Sequence, residues 1–583
     1  MDCATSPVSF DCGADQPCPV WAPAPPLSGL SPPPPPPPSV SPQCQVATAE
    51  ECEEHKDFVP GHSLAGEGID ITTLEKRGGK VLDMNQWQKP DGTCTLCQNQ
   101  LLPDKPLQRL PLAAVDWEVK TMCQQKVHTS LQNNGFGVVS AAGSDVQNDW
   151  KLGLDIQVKP QTNIQVALAA SHSKTADFSM DKASQDKYSF ARHEVSCTYY
   201  SFRTDHHQQL SKHFKLALHN LPGKYHHATQ LEYRQLIATY GTHFITRLHL
   251  GGRIRDVTAV RECELVLNGV TADEVKDCLR IEAAASIGGA VKMDAAYKTC
   301  EELKKKQTFQ GSFHQVYRER HTEVVGGTSH IDLLFPDNHN PETFSEWLEG
   351  VISVPGLLSY SLDPIHTLVP EGNPRREGLQ QAVREYVTER ALWRNCTQPC
   401  PPGTQRSVRD PCSCVCPSDG TTSSMCCSRK RGLGKLTVKI QRAHGLWGDS
   451  FSRTDAYVMV FYQGREIRTP TVWNNDNPVW NIHLDLGHIQ ILGENSKLQI
   501  QVWDEDNKYD DDSLGLCEKT LEAGKLHNEV CYLDHGRLDF QYHLICAPYL
   551  GGPFCFDYVP QMPKSGEVLL RKGKAVTVKQ KAP

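Results

Sequence analysis

Nowhere in the 583 residues is there a run of about 18 apolar residues, and the mean hydropathy is −0.46. Both argue against a transmembrane helix, so a chain like this would have to cross a bilayer with strands. A basic excess is missing too. Sixty Lys and Arg face 68 Asp and Glu, a net charge of −8, which gives no broad positive field for nucleic acid. Met1 to Gly29 lacks the apolar core of a secretory leader and carries Asp, Cys and Pro where leucines would stand. His314, His321 and Glu323 do not form the H-E-x-x-H arrangement of a helical zinc site. No serine, cysteine or acid is placed by sequence beside His243, so no enzyme chemistry is supported and that histidine reads as structural.

What is abundant is cysteine. The 23 cysteines crowd at Cys396, Cys400, Cys412, Cys414, Cys416, Cys426 and Cys427, a spacing natural to a small disulfide module. Zinc is the weaker reading, because the module has no histidine and its C-x-C-x-C run is not a C-x-x-C knuckle. Disulfides imply an oxidising compartment, which conflicts with the missing leader; a mispredicted first exon or an alternative start is the expected explanation. Seven prolines, Pro32 to Pro38, follow that N-terminal stretch and cannot pack into a core.

A chain of this length predicts three or four domains. The expected division is a Pro-rich segment 1–43, a large α+β domain 44–395, a cysteine module 396–433, an all-β sandwich 434–546 and a tail 547–583. Cys44, Cys52, Cys94 and Cys97 flank the start of the large domain, and helical patterning recurs at Phe344 to Val351 and Gly378 to Trp393.

Two segments alternate with period two. From Trp150 to Ala170 the apolar set is Trp150, Leu152, Leu154, Ile156, Val158, Ile164, Val166, Leu168 and Ala170. From Ile281 to Tyr297 every odd position is apolar or glycine, with Glu282, Lys292 and Asp294 between them. Such alternation most often marks a sheet with one buried face, and it is also what a membrane barrel strand requires. The second segment is Ala-rich and runs into Glu301, Glu302, Lys304, Lys305 and Lys306, so a solvated helix fits it equally well.

Carboxylates carry the clearest chemistry. Asp449 and Asp455 lie in one loop of the sandwich, and Asp504, Asp506, Asp510, Asp511 and Asp512 in another. Seven carboxylates in adjacent loops repel unless hard cations neutralise them, and calcium takes six to eight oxygen ligands. The same repulsion predicts raised carboxylate pKa values and loss of calcium in acid. Trp447, Phe451 and Tyr509 flank the aspartates, and amphipathic aromatics suit a membrane interface. Residues 434–546 resemble a C2 domain, the calcium and phospholipid module.

Tyr240, Gly241, Thr242, His243 and Phe244, followed by Gly251 and Gly252, resemble the signature of the membrane attack complex/perforin (MACPF) family. Asp149 and Trp150, the stretch Gly311 to Gly327, the EGF-like cysteine module and the C2 domain follow in the order of its perforin branch, and Ser63 to Asp70 and Asp91 to Cys97 match as well. The resemblance implies a bent, twisted antiparallel sheet flanked by helical clusters that unfurl into amphipathic hairpins lining a large barrel. It places those hairpins at about 163–189 and 283–306, and bend glycines at Gly326 and Gly327. It also implies the pairings Cys44–Cys97, Cys52–Cys94, Cys123–Cys197, Cys263–Cys427, Cys278–Cys300, Cys396–Cys412, Cys400–Cys414, Cys416–Cys426, Cys517–Cys531 and Cys546–Cys555, leaving Cys3, Cys12 and Cys18 unmatched. The expected activity is a calcium-dependent pore, made by a homo-oligomeric ring on a phospholipid membrane, that lyses cells or admits granule proteases (granzymes). The expected location is a cytolytic granule, then the secreted form and the target membrane. The Asn395 sequon, with Cys396 in its centre, is a poor glycan acceptor. Rival readings are a secreted calcium-dependent lipid adaptor that never inserts and a phospholipase targeted by its C2 domain.

Overall fold

In the computed structural model the described residues are 43–562, apart from short stretches at 157–163, 167–168, 206–208, 290–294, 308–310, 329–331, 337–340, 396–398, 409–412, 449–451, 494–495 and 507–509, together with 568–571 and 574–575. Apolar and β-branched residues recur at alternate positions through the first large domain, and there they build one antiparallel sheet. Its strands are β1 (Glu67–Asp70), β2 (Glu75–Lys80), β3 (Ala114–Gln132), β4 (Tyr188–Thr204), β5 (His243–Arg261), β6 (Arg320–Val325) and β7 (Gly356–Pro364). The order is β2-β1-β5-β4-β3, and β6 and β7 also pair with β5. Strands β3 to β5 run 17 to 19 residues, about three times the usual length. Strand β5 is buried along most of its length because helices cover the sheet.

Those helices are α1 (Gly135–Ala142) and α2 (Lys174–Gln185) between β3 and β4, α3 (Gln230–Tyr240) before β5, α4 (Ala272–Ser286) and α5 (Ala295–Gln307) between β5 and β6, α6 (Pro341–Ser353) between β6 and β7, and α7 (Pro374–Arg390). Helical patterning up to Trp393 overshoots α7, since Trp393 already starts a strand paired with Ile164–Val166 and with Val568–Leu570. The alternating segment 281–297 is helical at both described ends in this state. A capping box starts α4, with Thr271 N–H donating to Glu274 and Glu274 N–H donating to the Thr271 hydroxyl. The Cys278–Cys300 bond clamps α4 to α5.

The sheet bends where glycine replaces side chains. Strand β6 ends opposite Arg253 and β7 begins opposite Gly251, so one edge of β5 changes partner across Gly252. The β4–β5 register slips at the same level, between Thr198 and Tyr200. Gly326 and Gly327 leave β6 with φ of +80° and +73°, a region glycine enters without penalty. Trp347 of α6 lies over this gap and its indole N–H donates to Gly326 O at 3.0 Å. A Cβ on Gly252 would lie 2.6 Å from Val351 and 2.8 Å from Trp347, while one on Gly251 would strike the Cys197 carbonyl.

Charge is buried beside the bend. Arg253 and Arg255 of β5 share Asp145, at 2.9 and 2.8 Å, and Arg255 also meets Glu194 at 2.6 Å. Burial alone would lift Glu194, yet Arg255 and Arg192 beside it hold it down to about 2. Asp256 has the opposite balance. Burial pushes it up to about 7, with Asp332 adding repulsion, although Thr258 and Thr322 donate to it at 2.7 and 2.9 Å.

After the cysteine module comes a sandwich of β8 (Leu433–His444), β9 (Ala456–Tyr462), β10 (Arg465–Arg468), β11 (Val479–Gln490), β12 (Lys497–Asp504), β13 (Asp512–Thr520), β14 (His527–Tyr532) and β15 (Arg537–Cys546). Its sheets run β11-β8-β15-β14 and β10-β9-β12-β13 around one apolar core. Disulfides join Cys44–Cys97, Cys52–Cys94, Cys123–Cys197, Cys263–Cys427, Cys278–Cys300, Cys400–Cys414, Cys416–Cys426, Cys517–Cys531 and Cys546–Cys555. Cys396, Cys412, Cys3, Cys12 and Cys18 lie outside the described residues. Cys263–Cys427 ties the first domain to the cysteine module, as does Arg431, which donates to Asn268 at 3.1 Å. Beyond the sandwich, Tyr558 donates back to Asp186 of the first domain.

Two outcomes are expected. Gly252→Val forces a side chain into Trp347 and Val351, so the variant should be secreted poorly or melt at least 5 °C lower by differential scanning fluorimetry. The raised Asp256 pKa sets the sign of a pH effect. Below about pH 4 the group is neutral in both states, and between about 4 and 7 the unfolded chain ionises while the fold resists, so its contribution is lost as pH rises towards 7. Asp256→Asn should flatten the fall in melting temperature between pH 5 and pH 7; an unchanged slope would show that burial there is less complete.

Candidate functional site at the apical loops and the signature strand

Backbone register brings aspartates to one end of the sandwich. Ala456 pairs with Asp504 and Asp504 with Asp512, so Asp455, Asp504 and Asp512 stand at the same level on three neighbouring strands. Asp504 is 2% exposed, and its Oδ1 accepts the Asp455 N–H at 2.6 Å. Its Oδ2 faces Gly448, where any Cβ would overlap that oxygen, so the first loop must carry glycine there. Asp455 Oδ1 accepts the Asn474 N–H at 2.6 Å. Asp511 accepts the Tyr457 hydroxyl at 2.8 Å and the Asp506 N–H at 3.3 Å. Burial, with the Asp511 carboxylate beside it, pushes the Tyr457 phenol up to about 12, so it stays a donor. Arg468 lies over the Tyr457 ring at 3.7 Å and pairs with Glu505 at 2.6 Å.

Asp510 and Asp512 are exposed, whereas Asp449, Phe451 and Tyr509 lie outside the described residues. Among the described residues no three metal-ligating side chains converge. Two of the loop carboxylates accept hydrogen bonds, Asp455 from Asn474 N–H and Asp511 from the Tyr457 hydroxyl. The donor set is all hard oxygen, the ligand type that calcium takes.

Trp447 is 56% exposed and meets the His535 ring edge-on at 5.2 Å. Sequence reasoning missed Trp473, 60% exposed in the neighbouring loop, and Asp476, which accepts from Thr454 N–H at 3.1 Å. The signal was an aromatic within the turn-rich run Trp473-Asn474-Asn475-Asp476-Asn477-Pro478.

The signature residues lie in the other domain. Tyr240 closes α3, and Gly241 has φ +77° because a Cβ there would come within 2.6 Å of the Ile69 carbonyl. The Thr242 hydroxyl accepts Ile71 N–H at 3.0 Å and donates to Ile69 O at 3.2 Å. His243 is wholly buried between Thr242 Oγ1 at 2.8 Å and Trp150 O at 2.9 Å. Burial lowers its pKa to about 4, so the ring is neutral and locks β5 to the segment at Trp150. Phe244 packs in the core, and Gly251 and Gly252 reach the bend. No described helix is long and apolar enough to cross a membrane, which says nothing of strands.

The MAC/Perforin domain model matches residues 59–395, a Perforin-1-like EGF domain matches 395–429, and a C2 domain matches 434–533. Perforin-1 of Homo sapiens is 48% identical over 522 residues, covering 89% of this chain and 94% of that protein. Perforin-1 of Rattus norvegicus is 46% identical over 521 residues, with the same coverage, and complement component C6 of Bos taurus is 26% identical over 417 residues, covering 70% of this chain and 43% of C6. With its sheet, its cysteine module and its sandwich each matched in that order, the chain belongs to the MAC/Perforin family of membrane-acting pore formers, in its perforin branch.

Proposed function

We propose that this chain is a calcium-dependent cytolysin that docks through its C2 loops, assembles as a ring of identical copies and inserts two amphipathic hairpins per copy into a β-barrel. One observation carries the reading. Both alternating segments leave the same end of the long sheet: Gln132 pairs with Phe190 and Tyr188 with Arg261, and Thr258 pairs with Arg320. The 150–170 segment lies between the first two strand ends and 281–297 between the last two, so both can extend one sheet in one direction. A lone hairpin in lipid would leave edge groups unbonded, so insertion requires the closed ring.

Docking belongs to the sandwich. Asp455, Asp504 and Asp512, with Asp449, Asp506, Asp510 and Asp511 from the loops, would hold calcium. Calcium bound there would neutralise this negative end and favour its approach to anionic lipid phosphate. Trp447 and Trp473 present apolar bodies beside those aspartates, with Phe451 and Tyr509 as further membrane contacts. Gly326 and Gly327 free β6 and β7 to move against β5 as the bend opens. The pore would lyse the target or admit granule proteases, and the protein would work after secretion from cytolytic granules.

Dye release from phosphatidylcholine vesicles tests both halves at once. Release should require calcium and should vanish in Asp504→Ala, while Trp473→Ala should weaken vesicle binding by about tenfold, the scale of losing most of one buried aromatic. Calcium-dependent binding without release would favour the adaptor that never inserts, and lipid hydrolysis products would favour the phospholipase.

A further inference from the structure

The resting sheet already carries the register of both hairpins. We propose that each hairpin zips as an unslipped continuation of the ladder above it, with its tip at Gly289 in the second and Gln161 in the first, and that Cys278–Cys300 is a preformed cross-strand pin. The proposal rests on the insertion reading above and specifies which residues oppose which.

In the β5–β6 ladder, every pair from Thr258/Arg320 to Arg253/Val325 has residue numbers that total 578. Cys278 and Cys300 also total 578, although they sit on helices α4 and α5 in this state. Their Cα atoms are 5.5 Å apart, the separation of residues directly opposed across antiparallel strands. A ladder continued from 258/320 without a bulge therefore arrives at a bond already made. Half of 578 is 289, which centres a three-residue turn, 288–290, on Gly289, and Gly288 already has φ +80°. On either side of that turn, 279–287 and 291–299 would be strands of about nine residues, the length that spans a bilayer.

The hydrophobic pattern tests this register independently, because opposed residues share a face. The pairs Ile281/Tyr297, Ala283/Ala295, Ala285/Met293 and Ile287/Val291 are all apolar, while Arg280/Lys298 and Ser286/Lys292 share the other face. A slip of one residue would set Ala285 against Asp294 and Ile287 against Lys292, or in the other direction Ala283 against Asp294 and Ala285 against Lys292. Beyond the disulfide, Asp273 would face Lys305, Glu274 would face Lys304 and Lys276 would face Glu302, three attractive pairs against one repulsive pair, Asp277 with Glu301.

The first hairpin repeats the relation from a different ladder. At that end of β3–β4, pairs from His128/Glu194 to Gln132/Phe190 total 322, which centres on Gln161 beside Pro160. Val158 then opposes Ile164, Ile156 opposes Val166, Leu154 opposes Leu168 and Leu152 opposes Ala170, with Gln157/Gln165 and Lys159/Asn163 on the other face. This recentres the first hairpin from 163–189 onto Gln161. Ile164–Val166 is paired with Trp393–Asn395 in the resting state, so insertion exchanges that ladder for the new one. Residues 157–163, 167–168 and 290–294 enter by sequence alone.

The test uses the full chain with added cysteine pairs, assembled with calcium on phosphatidylcholine vesicles, oxidised only after assembly and mapped by mass spectrometry beside dye release. A285C/M293C and I156C/V166C should crosslink at least tenfold more than the slipped controls A285C/K292C and A285C/A295C. Preferential linking of a slipped pair overturns the register while leaving insertion intact. A fluorophore on Cys at position 293 should report lipid; if it stays in water while dye escapes, the insertion reading falls and the register with it. Should the 285/293 chain not be secreted, I156C/V166C applies the same criterion to the first hairpin.

Discussion

The backbone ladder of β5 is the constraint on which the rest of the molecule depends. It is bonded on one side to β4 for nearly its full length and on the other to β6 and β7 in turn. Antiparallel pairing fixes which residue opposes which, and a shift of one would turn every buried side chain outward. Where β6 gives way to β7 along β5, Gly251, Gly326 and Gly356 let backbones approach with no side chain between them, and Gly252 and Gly327 leave room for Trp347. Arg253 and Arg255, held by Asp145 and Glu194, add a second lock just beyond those glycines. Glu323 lies within 3.6 Å of both guanidiniums, so each keeps a carboxylate partner if either acid is removed.

Much of this architecture can be read from local pattern, and the parts that cannot are those built from distant residues. Period-two alternation marks 150–170 and 281–297 without deciding their state, because Ala-rich sequence suits a capped helix as well as a strand. In the resting fold the second segment is helix at its described ends, and the Thr271 capping box starts the first of those helices. The aspartate spacing points to the apical loops, yet the neighbouring contribution of Trp473 and Asp476 is hidden because Asn-Asn-Asp-Asn-Pro reads simply as a turn. Asp145 meets Arg255 over 110 residues, a partnership that no window of sequence can contain. Gly326 and Gly327 are visible through family resemblance, but their crowding against Gly251 and Trp347 emerges only in three dimensions.

The two domains divide the electrostatic work. In the sandwich, carboxylates gather at an exposed end, where in the proposed function an external cation would relieve their repulsion. In the sheet, Arg253 and Arg255 are buried and already neutralised by fixed partners, so they hold shape, while Asp256 of the same strand is the buried carboxyl that responds to pH. His243 belongs with the second group: neutral and enclosed, it joins the signature strand to Trp150 at the start of the first alternating segment.

The Cys263–Cys427 bond lies two residues past the end of β5, at the root of the second hairpin. A covalent tie cannot slide, so the EGF-like module keeps station with that root while the helices beyond it are free to reorganise. In the proposed assembly, with the sandwich on a bilayer, the link would act as a strut of constant length. Neighbouring copies standing on the same plane would then hold their roots at one altitude, and their sheet edges would meet level before any of them began to descend.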